Sequence, residues 1–226
     1  MNRVGCSPML RAARLAAIGL AAAGTTAVAT AADFRGFVAD GPAGLLVFQP
    51  CHGASPGRQT FKVSDKTRDT ALTAGASAVR QIMEDPSRPL YVEFVGEASG
   101  NTLSVRRFQR AIGHVLACAS SPRDIVPGTT LQASSADAAW RFVATAAGAR
   151  LDLAPGRTVR FPAAAFKPAN SGGTQVFDAW SSRDGGTIRV EVTEELCLEE
   201  GTETAYGARV ALRYASTSVE GCAARF

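Results

Sequence analysis

The stretch "DKTRDTALTAGASAVRQIMED", Asp65 to Asp85, decides how the first half of this chain folds. In it Leu72, Ala76, Val79 and Met83 recur at the spacing of one helical face, with Ile82 beside them. Ser64 or Asp65 can cap the start, and Asp85-Pro86 stops the helix, because a residue before proline is pushed out of the α region. The flanking segments alternate apolar and polar residues instead. "FRGFVAD", "GLLVFQP" and "RQTFKVS" come before the helix, and "PLYVEFVGE" and "NTLSVRRF" after it. Three strands, a helix and two strands is the element order of an OB-type barrel, expected over residues 32–118.

Beyond it, "ASSPRDIVPGTTLQASSADAA" (Ala119–Ala139) is rich in Ser, Pro, Gly and Thr and poor in large apolar residues, so residues 119–136 read as a linker. The remainder, 137–226, is more plainly β, with runs "WRFVATAAGARLDL", "RTVRFPAAAF", "TQVFDAWSS", "TIRVEVTEEL", "YGARVALRYAS" and "SVEGCAARF". Ile188, Val190 and Val192 fall on one side of their strand, and Val210, Leu212 and Tyr214 on one side of theirs. "RDGG" at Arg183–Gly186 sits between two such runs as a hairpin turn. The fold class expected is therefore mainly β, a β-rich α+β chain. An OB-like barrel with one helix precedes a small antiparallel barrel or sandwich.

The first 31 residues stand apart. Arg3, Arg11 and Arg14 form a positive region before the apolar run Leu15–Gly24, and Ala29-Thr30-Ala31 fits a small-residue cleavage site, the pattern of a Sec-type signal peptide. Ten apolar residues are too few to cross a bilayer core, which needs roughly 20. The whole chain carries 24 Lys+Arg against 20 Asp+Glu. Without the leader's three arginines the balance is 21 against 20, and the only dense basic pair is Arg106-Arg107, with Arg110 nearby. Nucleic-acid binding then lacks an electrostatic basis. The protein is expected in the periplasm or secreted, with no membrane span after cleavage.

Four cysteines follow the leader: Cys51, Cys118, Cys197 and Cys222. In an oxidising compartment they read as two disulfides, with three pairings open. Two lie on each side of the linker, so the simplest pairing is Cys51–Cys118 and Cys197–Cys222, each block having its own staple. A competing set for zinc or copper is Cys51, His52, His114 and Cys118, two sulfurs and two nitrogens without the C-x2-C spacing of a strong motif. "GASPG" (Gly53–Gly57) spells the G-x-S-x-G of a serine-hydrolase turn. The residue after Ser55 is Pro56, which lacks the N–H that would form half of an oxyanion hole. Glu191, Glu194, Glu195, Glu199, Glu200 and Glu203 surround Cys197 without the Asp/Gly-rich loop of a calcium site and read as a solvated loop. No phosphate loop, dinucleotide fingerprint or kinase signature occurs.

"FQPC" (Phe48–Cys51), "PLYVEFVGE" (Pro89–Glu97), "IRVEVTEELC" (Ile188–Cys197), Tyr206 and "VEGCA" (Val219–Ala223) resemble a family of Gram-negative envelope proteins, many of them lipoproteins. More distantly the arrangement is similar to the NlpE-type envelope-stress and copper-resistance lipoproteins, which pair a lipocalin-like barrel with an OB-type barrel. The resemblance implies a Cys197–Cys222 bridge and a non-enzymatic envelope module. Its C-x-x-C copper motif and lipobox cysteine have no counterpart here, where "CHGA" stands instead, so neither copper nor a lipid anchor is carried over. The function expected is a non-catalytic binding or interaction module without a cofactor, engaging an envelope protein or a small ligand. The alternatives are a metal-handling protein using the Cys51/His52/His114/Cys118 set and a lysozyme-type inhibitor.

Overall fold

The computed structural model describes residues 31–51, 60–67, 70–116, 118, 126–153, 156–169 and 173–226. Residues 1–30, which hold nearly all of the expected leader, His52 and the Gly53–Gly57 stretch lie outside them. The alternating runs of the first block become strands β1 (Ala32–Asp40), β2 (Leu46–Pro50), β3 (Phe61–Asp65), β4 (Leu90–Ser99) and β5 (Thr102–Ile112), with helix α1 (Ala71–Ile82) between β3 and β4. Antiparallel pairs β1–β2, β2–β3, β5–β4 and β4–β1, with one parallel pair β3–β5, close them into a five-stranded OB-type barrel. The β4–β5 hairpin turns on Gly100 at φ 56°, the left-handed conformation that the first central residue of a tight two-residue turn requires.

Helix α1 closes the barrel. Leu72, Ala76 and Val79 are fully buried, and Met83 nearly so, against Phe94, Leu103 and Phe108. Burying a residue such as Leu72 contributes about 1.5–3 kcal/mol. Ile82 points away and is 54% exposed, since it sits one residue, about 100° of helix, off the line through Val79 and Met83. Asp65 caps the helix from outside it. One carboxylate oxygen accepts from Thr73 N–H at 2.8 Å, and the other from Thr67 N–H at 3.0 Å. At the far end, Asp85 accepts from Ser87 N–H and Oγ in a turn ahead of β4.

The second block supplies β6 (Thr129–Ser134), β7 (Trp140–Thr145), β8 (Gly148–Leu153), β9 (Arg157–Pro162), β10 (Lys167–Pro168), β11 (Thr174–Ser181), β12 (Gly186–Thr193), β13 (Cys197–Glu199), β14 (Thr204–Tyr206), β15 (Ala208–Tyr214) and β16 (Thr217–Arg225). Nine of these form one curled antiparallel sheet in the order β10-β11-β12-β15-β16-β6-β7-β8-β9, with β9 and β11 approaching each other. Its concave side is filled by Trp140, Phe142, Leu151, Phe161, Phe177, the inward rows Ile188/Val190/Val192 and Val210/Leu212/Tyr214, and their neighbours. The "RDGG" hairpin joins β11 to β12 as expected, whereas "WRFVATAAGARLDL" is not one strand but the β7–β8 hairpin.

Two expectations change. The 119–136 span is not wholly linker, because β6 lies inside it, paired with both β16 and β7. Leu131 is the only large apolar side chain that strand sends into the core, so its composition resembles a loop. Nor is 137–226 self-contained. Strands β13 and β14 leave the curled sheet and extend the barrel, with Thr204, Ala205 and Tyr206 opposite Ile112, Ala111 and Arg110. The reason is a free edge. Strand β3 pairs only with Thr102–Val105 of β5, and β14 covers the C-terminal part of the edge left open.

Candidate functional site

Strand β5 is where the barrel and the curled sheet meet, and its sequence breaks alternation twice. Leu103, Val105, Phe108 and Ala111 point into the barrel, at spacings of two, three and three residues. The longer intervals coincide with register shifts against β4, between Val95/Gly96 and between Glu93/Phe94. Each bulge adds one residue and turns two consecutive side chains outward, Arg106-Arg107 at the first and Gln109-Arg110 at the second. All three arginines of this strand thus leave the barrel core, and they meet three different fates.

Arg110 is buried under the seam. Its Nε and Nη2 donate to Glu93, its cross-strand partner, at 2.8 and 3.1 Å, and the Tyr91 hydroxyl donates to the same carboxylate at 2.6 Å. Phe226, just after β16, places its ring 5.9 Å from the Arg110 guanidinium. Tyr206 stands opposite Arg110 on β14; burial pushes its hydroxyl up to about 12, and Glu199 adds to the shift. Arg106 is exposed and gives Glu97 two hydrogen bonds, which hold that carboxyl below its ordinary value.

Arg107 opens onto a cleft of about 250 Å³ lined by Ala71 and Ala74 of α1, Phe108 of β5, and Glu194, Glu195 and Leu196 of the β12–β13 connection. The glutamates are committed to arginines, Glu194 to Arg225 and Glu195 to Arg209 at 2.7 Å. Burial lowers the Arg225 guanidinium from its usual value; Glu194 opposes this, and nearby Arg107 adds to it. Arg107 forms no ion pair with the described residues, and its Nε is buried without a hydrogen-bond partner. Gly207 borders the same cleft because nothing larger fits there. A Cβ on it would lie 2.0 Å from the Phe108 carbonyl oxygen, while its own N–H donates to Gln109 O at 2.9 Å. A larger hollow of about 430 Å³ lies between the β1–β2 turn and α1, but there Arg80 is bound to Asp40 and to the Val38 carbonyl.

The sequence-derived candidates fall elsewhere. Cys51 is bonded to Cys118, and Cys197 to Cys222, the pairing expected. The first bridge packs beside Tyr91, Ile112 and Val115 on the outer barrel wall. The second is not confined to one block. It ties β13 of the barrel sheet to β16 of the curled sheet and so staples the seam itself. The Cys51/His52/His114/Cys118 metal set loses both sulfurs, since a sulfur in a disulfide has no thiolate to offer. Of its histidines, His114 is exposed and His52 lies outside the described residues. Among the described residues no cluster of three or more His, Cys, Asp or Glu is arranged to hold a metal. Glu194 and Glu195, read as part of a solvated loop, are exposed and form surface ion pairs with Arg225 and Arg209. Sequence reading noticed the Arg106-Arg107 pair but not the cleft; the signal available was the broken alternation of "LSVRRFQRAI".

No family model, curated protein or solved structure matches this chain.

Proposed function

We propose that this chain is an exported envelope protein that holds a ligand or partner at the seam between barrel and curled sheet, without covalent catalysis. The observation that carries this reading is the cleft beside Arg107, where among the described residues that cation has no counter-charge while the surrounding carboxylates are paired with other arginines. Carboxylates fixed in ion pairs position the walls of a site and are poor proton acceptors, so the arrangement favours binding over acid–base chemistry. Two disulfides suit an oxidising compartment, in agreement with the leader read from the sequence. No helix among the described residues is long and apolar enough to cross a membrane. An OB-type barrel joined to a second curled β-sheet is also the kind of pairing the envelope-protein resemblance implies.

The test is direct. Expressed with its own leader in a Gram-negative host, the chain should appear in osmotic-shock fluid, cleaved near Ala31 and without thiols reactive to Ellman's reagent. Retention in the cytoplasm with free Cys51, Cys118, Cys197 and Cys222 would overturn the reading.

A further inference from the structure

The seam cleft has one chemical face of each kind. Ala71, Ala74, Phe108 and Leu196 give it an apolar wall, and Arg107 gives it a cation. The other charged groups at its rim are occupied, Arg106 by Glu97, Glu194 by Arg225 and Glu195 by Arg209. Among the described residues, Arg107 is the one charged group lining the cleft without an ion pair. A guanidinium without a counter-charge gains charge-assisted hydrogen bonds from an incoming anion.

We propose that this cleft binds a small carboxylate bearing a short apolar chain, the carboxylate on Arg107 and the chain against Ala74, Phe108 and Leu196. The proposal rests on the binding-module reading above and names its ligand class. A planar guanidinium matches a carboxylate through parallel N–H···O bonds. The volume of about 250 Å³ lies at or below the small end of ligand pockets, which restricts the chain to a few carbons. Inorganic phosphate meets the guanidinium equally well but leaves the apolar wall wet.

The experiment titrates the oxidised full chain with hexanoate, hexanol, hexylammonium and inorganic phosphate, following the methyl resonances of Ala74 and Leu196. Hexanoate should saturate those shifts, and the other three should not. Arg107→Gln should weaken hexanoate binding by about tenfold or more. Arg106→Gln should leave it within about threefold, because that guanidinium is engaged by Glu97. Arg107→Gln removes an uncompensated charge, so its thermal midpoint should not fall, and loss of binding then reports the site rather than the fold. Equal binding of hexanol, hexylammonium or phosphate, unchanged affinity in Arg107→Gln, or no saturation by millimolar hexanoate overturns the proposal. A photo-crosslinking residue at Ala74 separates the two levels of failure. If it traps an envelope component in an Arg107-dependent way while hexanoate fails, the ligand class alone is wrong. If it traps nothing and hexanoate fails, the binding-module reading falls too.

Discussion

Replacing Glu93 with leucine would strand a guanidinium beneath the seam. The Arg110 and Glu93 side chains are only 5% and 4% exposed, and two hydrogen bonds of 2.8 and 3.1 Å join them. Removing the carboxylate leaves a buried cation without its counter-charge, which costs about 3–5 kcal/mol. The Tyr91 hydroxyl also loses its 2.6 Å bond to Glu93, a further contribution of about 1 kcal/mol. Arg110→Met should cost a similar amount for the mirror-image reason. The double variant Glu93→Leu/Arg110→Met removes both charges at once. Replacing a whole buried pair with apolar residues is often near neutral, so it should recover most of the loss, with a coupling of at least about 2 kcal/mol. Urea unfolding of the three oxidised variants at neutral pH measures this from shifts in midpoint at constant slope. Two single losses below about 1 kcal/mol that simply add would mean that the pair is not buried, because that is how a solvent-screened surface pair behaves. The outer face of β5 at Arg110 would then be wet.

Three further outcomes follow from the geometry. Cys197→Ser opens a loop of 25 residues and should lower stability by about 3.5 kcal/mol. Hydrogen exchange should accelerate first in β13 and β14, since the bridge joins sheets, and faster exchange confined to β7–β9 would contradict that placement. The folded state holds the Tyr206 proton more tightly than the unfolded chain, at about 12 against the ordinary 10.0. The associated stability is therefore complete below pH 10 and lost as pH rises from 10 to 12, up to about 2–3 kcal/mol. Tyr206→Phe should flatten that loss in denaturant midpoints measured across the same range. Asp65→Ala removes the outside cap of α1 and should cost about 1–2 kcal/mol in a thermal or urea melt, whereas Ser64→Ala should cost little.

Sequence alone determined whatever depends on short-range periodicity and on sulfur chemistry. The α1 face of Leu72, Ala76, Val79 and Met83, the inward rows of β12 and β15, the strand–helix order of the barrel and the cysteine partners are all legible in the sequence. Each is set by neighbours a few residues apart, or by the simplest pairing of two cysteines in each block. Tertiary structure decided the rest, because hydrogen-bonding edges and enclosed space belong to no local pattern. β6 is an inner strand despite a loop-like composition, since β16 and β7 supply partners on both of its edges. β13 and β14 desert their own block because β3 leaves the end of β5 open. For the same reason the Cys197–Cys222 bond joins two sheets instead of closing one. The three arginines of β5 are chemically alike in sequence, and only the packed seam makes one a surface ion pair, one a buried pair and one a cation facing a cleft with no ion pair among the described residues.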